Sequence, residues 1–290
     1  LIGLLVNFAS SNHHARSFRD LTYQPIDRDQ FTASTALTVE TVRRVKHLST
    51  GLFSFSISRP ASFRFRSGEF VMVGLPKEGK PLLRAYSIAS PAYADELEFL
   101  SIKLPHGPLT SRLQHLDLGD AVYLGKKPTG TLVTDALLPG RRLFLLSTGT
   151  GIAPFMSLVR DPDLYRQFTE IVLVHCVRHC ADLAYRNLLE GQLATDPLVQ
   201  DQALLQFHYV PTVTREAFRT QGRIATLIED GRLFESVSGP RRFDPGCDRV
   251  MLCGSMAMIK DHASDLERRG FIEGSNAKPG QFVIERAFVG

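Results

Sequence analysis

The chain has 290 residues, 43% hydrophobic and 22% charged, a balance that excludes disorder and collagen-like composition and leaves room for two domains of ordinary size. No apolar run approaches the roughly 18 residues a membrane span needs, since LIGLLV at the start gives way at once to Asn7. The net charge of +4 lies in the first half: residues 36–138 hold 13 Lys and Arg against 9 Asp and Glu, and residues 139–290 hold 18 against 18.

In chain order, residues 1–34 read as a poorly ordered extension, carrying Arg16 and Arg19 but neither a basic leader nor a full apolar segment. From residue 36 to about 135 short apolar or alternating runs are cut by Gly, Pro and Asp: ALTVETVRRV, LFSFSIS, EFVMVGL, AYSIAS, LEFLSIK and AVYLGK. Closely spaced strands of this kind predict an antiparallel barrel or sandwich, interrupted by one short helix at LTSRLQHL. Arg43, Arg44 and Lys46 in the first run, and Lys126 and Lys127 after the last, form clusters able to steer an acidic partner or to protect a strand edge.

Within RAYSIAS (84–90), Arg84 is an obligatory cation on a strand expected to be half-buried, with no acid nearby in sequence. A guanidinium forks onto paired oxygens, so a phosphate-type anion suits it. Tyr86 alternates with Arg84, offering a ring face for stacking and a hydroxyl expected to find water. Ser87 falls on the other side of the strand unless a turn intervenes. Downstream, HGPLTSRL puts Gly107 and Thr110 before a short helix, a second phosphate-type terminus.

After LLPGRR, with a boundary expected near Pro139 and Gly140, the rhythm changes. Strands LFLLS, IVLVHCV, LLQFHYV and RVMLCG alternate with helical stretches APFMSLVR, LAYRNLLEGQL, IATLIEDG and MAMIKDHASDLERRG, which predicts a parallel sheet with crossover helices. LFLLSTGTGIAPF runs from strand through Gly149, Thr150 and Gly151 into a helix with Pro154 in its first turn, where a missing N–H costs little. The pattern is G-x-G-x-x-P rather than G-x-G-x-x-G, consistent with a phosphate cradle or with a plain strand-to-helix turn. VMLCGSMAM ends another strand at Cys253 and Gly254; ligands in open α/β sheets sit at the carboxyl ends of strands, although a free cysteine there also packs well as a small hydrophobe. Where an NAD site offers an acid to the ribose, this chain offers Arg178, followed by Arg215 and Arg223, which favours NADP unless these are ordinary solvated residues. The four cysteines at 176, 180, 247 and 253 match neither zinc nor iron–sulfur spacing and suggest a reducing compartment.

Taken in this order, RAYS, GPLT, GTGIAP and the CG followed by Met256 resemble the ferredoxin/flavodoxin–NADP+ reductase family, bacterial type, over about residues 36–290. The resemblance implies a two-domain fold: an N-terminal antiparallel β-barrel for FAD over 35–138, then an α/β parallel-sheet nucleotide-binding domain over 139–290 whose tail returns to the flavin. It implies flavin contacts from Arg84, Ala85, Tyr86 and Ser87, with Arg84 on the pyrophosphate, Tyr86 stacked on the isoalloxazine and Ser87 near N5. Gly107, Pro108, Leu109 and Thr110 then form the second flavin motif. Thr150 and Gly151 meet the pyridine nucleotide, and Cys253 faces nicotinamide C4. Arg178, Arg215 and Arg223 hold the adenosine end of NADP, the last two around the 2′-phosphate. The ending FVIERAFVG departs from the plant pattern of a terminal aromatic, putting Ala287 at that position, Phe288 against the adenine and Glu285 as a proton-relay residue.

The activity so implied is hydride exchange between nicotinamide C4 and FAD N5 by a cytoplasmic NADP-dependent oxidoreductase. Its partner is an acidic one-electron carrier, ferredoxin or flavodoxin, with neither nucleic acid nor membrane as a partner. Two alternatives stay open at this point: a reductase component serving an oxygenase or other acceptor, and a flavin-binding electron-transfer subunit without turnover of its own.

Overall fold

The structure is a computed structural model describing residues 26 and 28–285; residues 287 and 288 of the expected tail lie outside the described residues, as do 1–25. The first half contributes β1 (Leu37–His47), β2 (Leu52–Ser58), β3 (Phe70–Lys77), β4 (Lys80–Ser87), β5 (Glu96–Ile102), the single turn α1 (Thr110–Leu113) and β6 (Ala121–Gly125). These strands form one antiparallel sheet in the order β4-β3-β6-β1-β2-β5. The Ala89 N–H donates to the Glu98 carbonyl at 2.8 Å, bringing the chain beyond β4 back onto β5, so the two outer strands approach and the sheet curls around its core. A bulge in β1 between Val42 and Arg44 supports that curl.

Alternation fills the interior. Phe53, Phe55, Ile57, Val71, Val73, Leu75, Leu97, Phe99, Val122 and Leu124 all point inward and are buried. Ile26 joins this core, and Phe31, after a 3-10 turn at Arg28–Gln30, packs edge-on against Tyr123 at 4.5 Å between ring centroids. Part of the stretch expected as an extension is therefore packed on the barrel.

The second half contributes β7 (Arg142–Thr148), α2 (Ala153–Leu158), α3 (Pro162–Gln167), β8 (Glu170–Val177), α4 (Arg186–Glu190), α5 (Gln200–Gln206), β9 (Phe207–Val213), α6 (Ile224–Glu229), β10 (Asp248–Cys253), α7 (Met256–Arg268) and β11 (Phe282–Ile284). Its five strands are all parallel, in the order β11-β10-β7-β8-β9. Covered on both faces, β7, β8 and β10 are buried almost throughout, which is why they read as unbroken apolar runs. The chain moves outward in one direction from β7 to β9 and in the other from β10 to β11, so the switch point lies between β7 and β10.

One expected strand is shorter than its sequence suggests. Leu204 and Leu205 of LLQFHYV belong to the last turn of α5, at 68% and 81% exposure, and β9 starts only at Phe207. Ala203 is the buried contact of that turn, so the leucines face out.

The halves share a core. Ala89 and Leu100 pack in one cluster with Leu132, Val133, Leu137, Leu145, Phe155, Met156 and Val283. Polar stitches reinforce it: Arg160 donates to the Ala89 carbonyl at 2.5 Å, Thr131 Oγ1 to the Ile284 carbonyl at 2.6 Å, and the Asn276 amide to the Gly130 carbonyl at 2.9 Å. At the amino ends of β7 and β10, buried Arg142 forks onto Asp248 at 2.5 and 2.7 Å and lies over the Phe144 and Phe234 rings.

Candidate functional site

The carboxyl ends of β7 and β10 meet at the switch point. Cys253 pairs with Ser147, and the glycine turn that leaves β7 folds across the end of β10. A side chain on Gly151 would place its Cβ 2.3 Å from the Cys253 carbonyl oxygen and 2.7 Å from the Gly254 nitrogen, so the two backbones touch only because residue 151 has no Cβ. Gly254, at φ +149°, lies equally close to Thr148, whose Oγ1 accepts from the Ser255 N–H at 2.9 Å. Ser255 in turn caps α7 through the Met258 N–H. Thr150 is partly exposed beside this lock and Gly151 is buried in it.

Cys253 is 1% exposed, and its thiol pKa is pushed well above the ordinary thiol range, first by burial and then by the nearby Glu285 carboxylate. Glu285 follows β11, with its N–H on the Leu252 carbonyl at 3.2 Å. A Cβ on Gly130 would lie 3.0 Å from Glu285 Oε2 and 3.3 Å from the Phe70 ring, and Phe70 is the β3 partner of Ser87. Cys253, Glu285 and the end of β4 thus converge on the junction between the halves, Glu285 being brought there by the Thr131 and Asn276 stitches.

The RAYS segment occupies the end of β4, with Arg84 opposite Val73 and Ala85 opposite Met72. Arg84 is exposed rather than half-buried, and its guanidinium donates to the neighbouring Leu83 carbonyl at 2.8 Å. Ser87 is buried at 6% exposure. Tyr86 departs from expectation at its hydroxyl, which meets Ser101 Oγ at 3.1 Å instead of water. The ring, 7% exposed, sits edge-on to Phe55 and Phe99 in the barrel core, because both Tyr86 and its partner Val71 face inward. Burial raises the phenol pKa, opposed by the Ser101 bond and by Arg84.

In the second flavin-type motif, Gly107 lies against Thr110, a Cβ there falling 2.0 Å from the Thr110 hydroxyl. The Ser111 N–H closes the turn on the Gly107 carbonyl, Pro108 is exposed and Leu109 is buried. Arg112 fixes the turn to the barrel through the Pro76 carbonyl at 2.6 Å.

Arg178 and Arg215 are neighbours, since the Arg215 N–H donates to the Arg178 carbonyl where β8 and β9 end. Arg223 precedes α6, close enough to Cys176 at the end of β8 to offset part of the rise in its thiol pKa caused by burial. All three side chains are exposed. Among the described residues neither they nor Arg84 forms an ion pair with a carboxylate.

Two contributors to the site were not singled out in the sequence. Thr148 is the hydroxyl that ties the glycine turn to the start of α7. His175, fully buried in β8, holds the Gly149 carbonyl through Nε2 at 3.0 Å. Its signal was visible as the imidazole inside the otherwise apolar run IVLVHCV.

Among the described residues no helix is long and apolar enough to cross a membrane, and no group of three His, Cys, Asp or Glu side chains could hold a metal ion.

Both halves of the chain are similar to known proteins. Residues 36–133 match the oxidoreductase FAD-binding domain and residues 145–264 the oxidoreductase NAD-binding domain. The chain is 50% identical over 253 residues to ferredoxin–NADP reductase A of Sorangium cellulosum, covering 87% of this chain and 91% of that one. It is 51% identical over 252 residues to the flavodoxin/ferredoxin–NADP reductase of Rhodobacter capsulatus, covering 87% and 93%. A ferredoxin NADP+ reductase from Neisseria gonorrhoeae, solved with bound FAD and NADP, superposes with a TM-score of 0.78 at 30% identity, covering 88% of this chain and all of that one. With a barrel and a parallel sheet meeting at one junction, and about half of the aligned residues identical to such relatives over most of both chains, the protein belongs to the ferredoxin–NADP reductase family.

Proposed function

We propose that the protein is an FAD-containing, NADP-dependent reductase that exchanges electrons with ferredoxin or flavodoxin. The observation that carries the reading is the contact of Gly151 with the Cys253 backbone, which puts a phosphate-type turn and a buried thiol side by side at the switch point. The donor set suits both cofactors. Arg84 is an exposed guanidinium without a carboxylate, as a pyrophosphate contact requires, and Arg178, Arg215 and Arg223 are the same at the mouth of the second sheet. When bound, the two cofactors supply hydride transfer between nicotinamide C4 and flavin N5 and the division of an electron pair into single electrons.

The chain's own residues orient and select. Arg84 takes the flavin pyrophosphate beside Ala85, and the turn Gly107, Pro108, Leu109, Thr110 takes a second portion of the flavin. Tyr86, its hydroxyl on Ser101 and its ring packed in the barrel core, braces the end of β4 from within, and Ser87 follows it for the N5 side. Cys253 closes the nicotinamide side as a neutral thiol, and Glu285 sits at the same junction as the group able to hold or pass a proton. Thr150 and Gly151 present the turn's amides to the nucleotide. Arg178 with Arg215 and Arg223 choose NADP over NAD through the extra phosphate. Arg43, Arg44, Lys46, Lys126 and Lys127 are all exposed on the barrel half and attract an acidic carrier from solution. A cytoplasmic location fits such a carrier.

Anaerobic titration of the flavin-loaded protein with NADPH tests the reading. Bleaching of the visible flavin band, followed by reduction of added ferredoxin or flavodoxin, is expected; a protein that takes up no flavin would overturn it.

A further inference from the structure

His175 lies third from the carboxyl end of β8 with no exposure to solvent, between Ser147 of β7 and Pro211 of β9. Neither neighbour engages the imidazole: the Ser147 hydroxyl donates to the Val174 carbonyl, and proline has no N–H. The ring makes one hydrogen bond, Nε2 to the Gly149 carbonyl at 3.0 Å, and Nδ1 has no partner. A carbonyl only accepts, so Nε2 carries the proton and the ring is the neutral Nε2–H tautomer. An imidazole kept in the core with one nitrogen left unsatisfied is costly as packing alone, where an aliphatic residue would serve better. What the ring supplies is a directed bond to the turn that leaves β7.

A trans peptide unit fixes the meaning of that bond. The Gly149 carbonyl and the Thr150 N–H belong to one plane and point in opposite directions. With the carbonyl drawn onto His175 of β8, the Thr150 N–H points the opposite way, away from that strand. Gly149 has φ +54° and no atom within 4 Å of a would-be Cβ, so neither side-chain packing nor a rotamer holds this peptide in place. We propose that His175 is the positioning residue that aims the Thr150 N–H at the pyridine nucleotide. The inference rests on the reading that the nucleotide enters at this turn, and it adds a residue that touches no cofactor itself.

The test compares two amides in flavin-loaded protein. His175→Gln carries its –NH2 where Nε2 stood and can still donate to Gly149, whereas His175→Asn ends nearer the Nδ1 position and cannot. NADP+ affinity, read from the flavin difference spectrum, is expected to fall about tenfold in His175→Asn, as for loss of one oriented hydrogen bond, and to stay within about twofold of wild type in His175→Gln. FAD content is expected to be equal in both. Equal affinities in the two variants, whether both normal or both weakened, overturn the proposal. For the unaltered holoenzyme, the 15N signals of His175 are expected to show the Nε2–H tautomer and to move on addition of NADP+; a signal that does not move overturns it as well. Wild-type protein that binds flavin but no NADP+ would instead defeat the underlying reading of the turn.

Discussion

Replacing Gly151 by alanine isolates the contact between the glycine turn and the end of β10. Residue 151 is not among the glycines at positive φ, so alanine adopts its backbone without strain and gains roughly 0.5–1 kcal/mol by restricting the unfolded chain. Against that gain stands a Cβ 2.3 Å from the Cys253 carbonyl oxygen and 2.5 Å from its carbon. Both atoms are backbone, held in the β10 pairing, and no flexible side chain is there to give way. Overpacking of this kind costs about 1–3 kcal/mol, and with backbone on both sides the upper end applies, leaving a net loss of about 2 kcal/mol. For a chain of 290 residues that corresponds to a fall of about 3–4 °C in melting temperature. Because relief requires the turn to back away from Cys253, NADP+ affinity is expected to drop about tenfold or more while FAD stays bound. Gly149→Ala is the control: it meets no atom within 4 Å and incurs only the left-handed strain of φ +54°, about 1–2 kcal/mol. Calorimetry and NADP+ titration of the two variants decide the matter. A Gly151→Ala protein as stable as wild type, with unchanged NADP+ affinity, would refute the steric argument.

Arg84→Ala is expected to weaken FAD retention about tenfold to a hundredfold, measured by flavin content after dialysis, while leaving the apoprotein's melting unchanged, because the guanidinium bonds only the adjacent Leu83 carbonyl. The double change Arg215→Ala with Arg223→Ala should reduce the ratio of kcat/KM for NADPH over NADH by at least about tenfold; an unaltered ratio would remove both from the specificity site. Asp248→Ala strands the buried Arg142 guanidinium and is expected to cost about 3–5 kcal/mol in denaturant unfolding, with NADP+ affinity of the folded protein unchanged because the pair lies at the opposite end of the strands. His175 has its pKa lowered to about 4 by burial, below the ordinary 6.5, so the unfolded chain binds the proton first. Its contribution is complete above pH 6.5 and is lost as pH falls toward about 4, roughly 3 kcal/mol in all. Denaturation of His175→Gln across pH 4–7 should show a correspondingly shallower slope, and a slope equal to wild type would contradict the assignment.

Residue patterns carried most of the architecture. Alternation in LFSFSIS and EFVMVGL marked strands that send every second side chain into the barrel core, and unbroken apolar runs such as LFLLS marked strands covered on both faces. STGTGIAP announced its turn because glycine and an early proline act locally. What the patterns could not supply was context from residues distant in sequence. Leu204 and Leu205 look like strand residues until Ala203 turns out to be the helix contact. Tyr86 looked ready to reach water, but Ser101, fifteen residues away on β5, takes its hydroxyl. His175 interrupts an apolar run but was passed over, because its role depends on Gly149, on a different strand end, and only the parallel pairing of β7 with β8 brings them together. The convergence of Glu285 with Cys253 likewise needs β11 to pair with β10.

The cluster that mixes Ala89 and Leu100 with Leu145, Phe155 and Val283 has a mechanical consequence. Swinging the two lobes apart would expose that apolar surface to water and break the Arg160, Thr131 and Asn276 bonds at once, so a hinge between them is disfavoured by many kT. Access to the crevice is then expected to rely on small displacements of its lining rather than on a swing of the lobes.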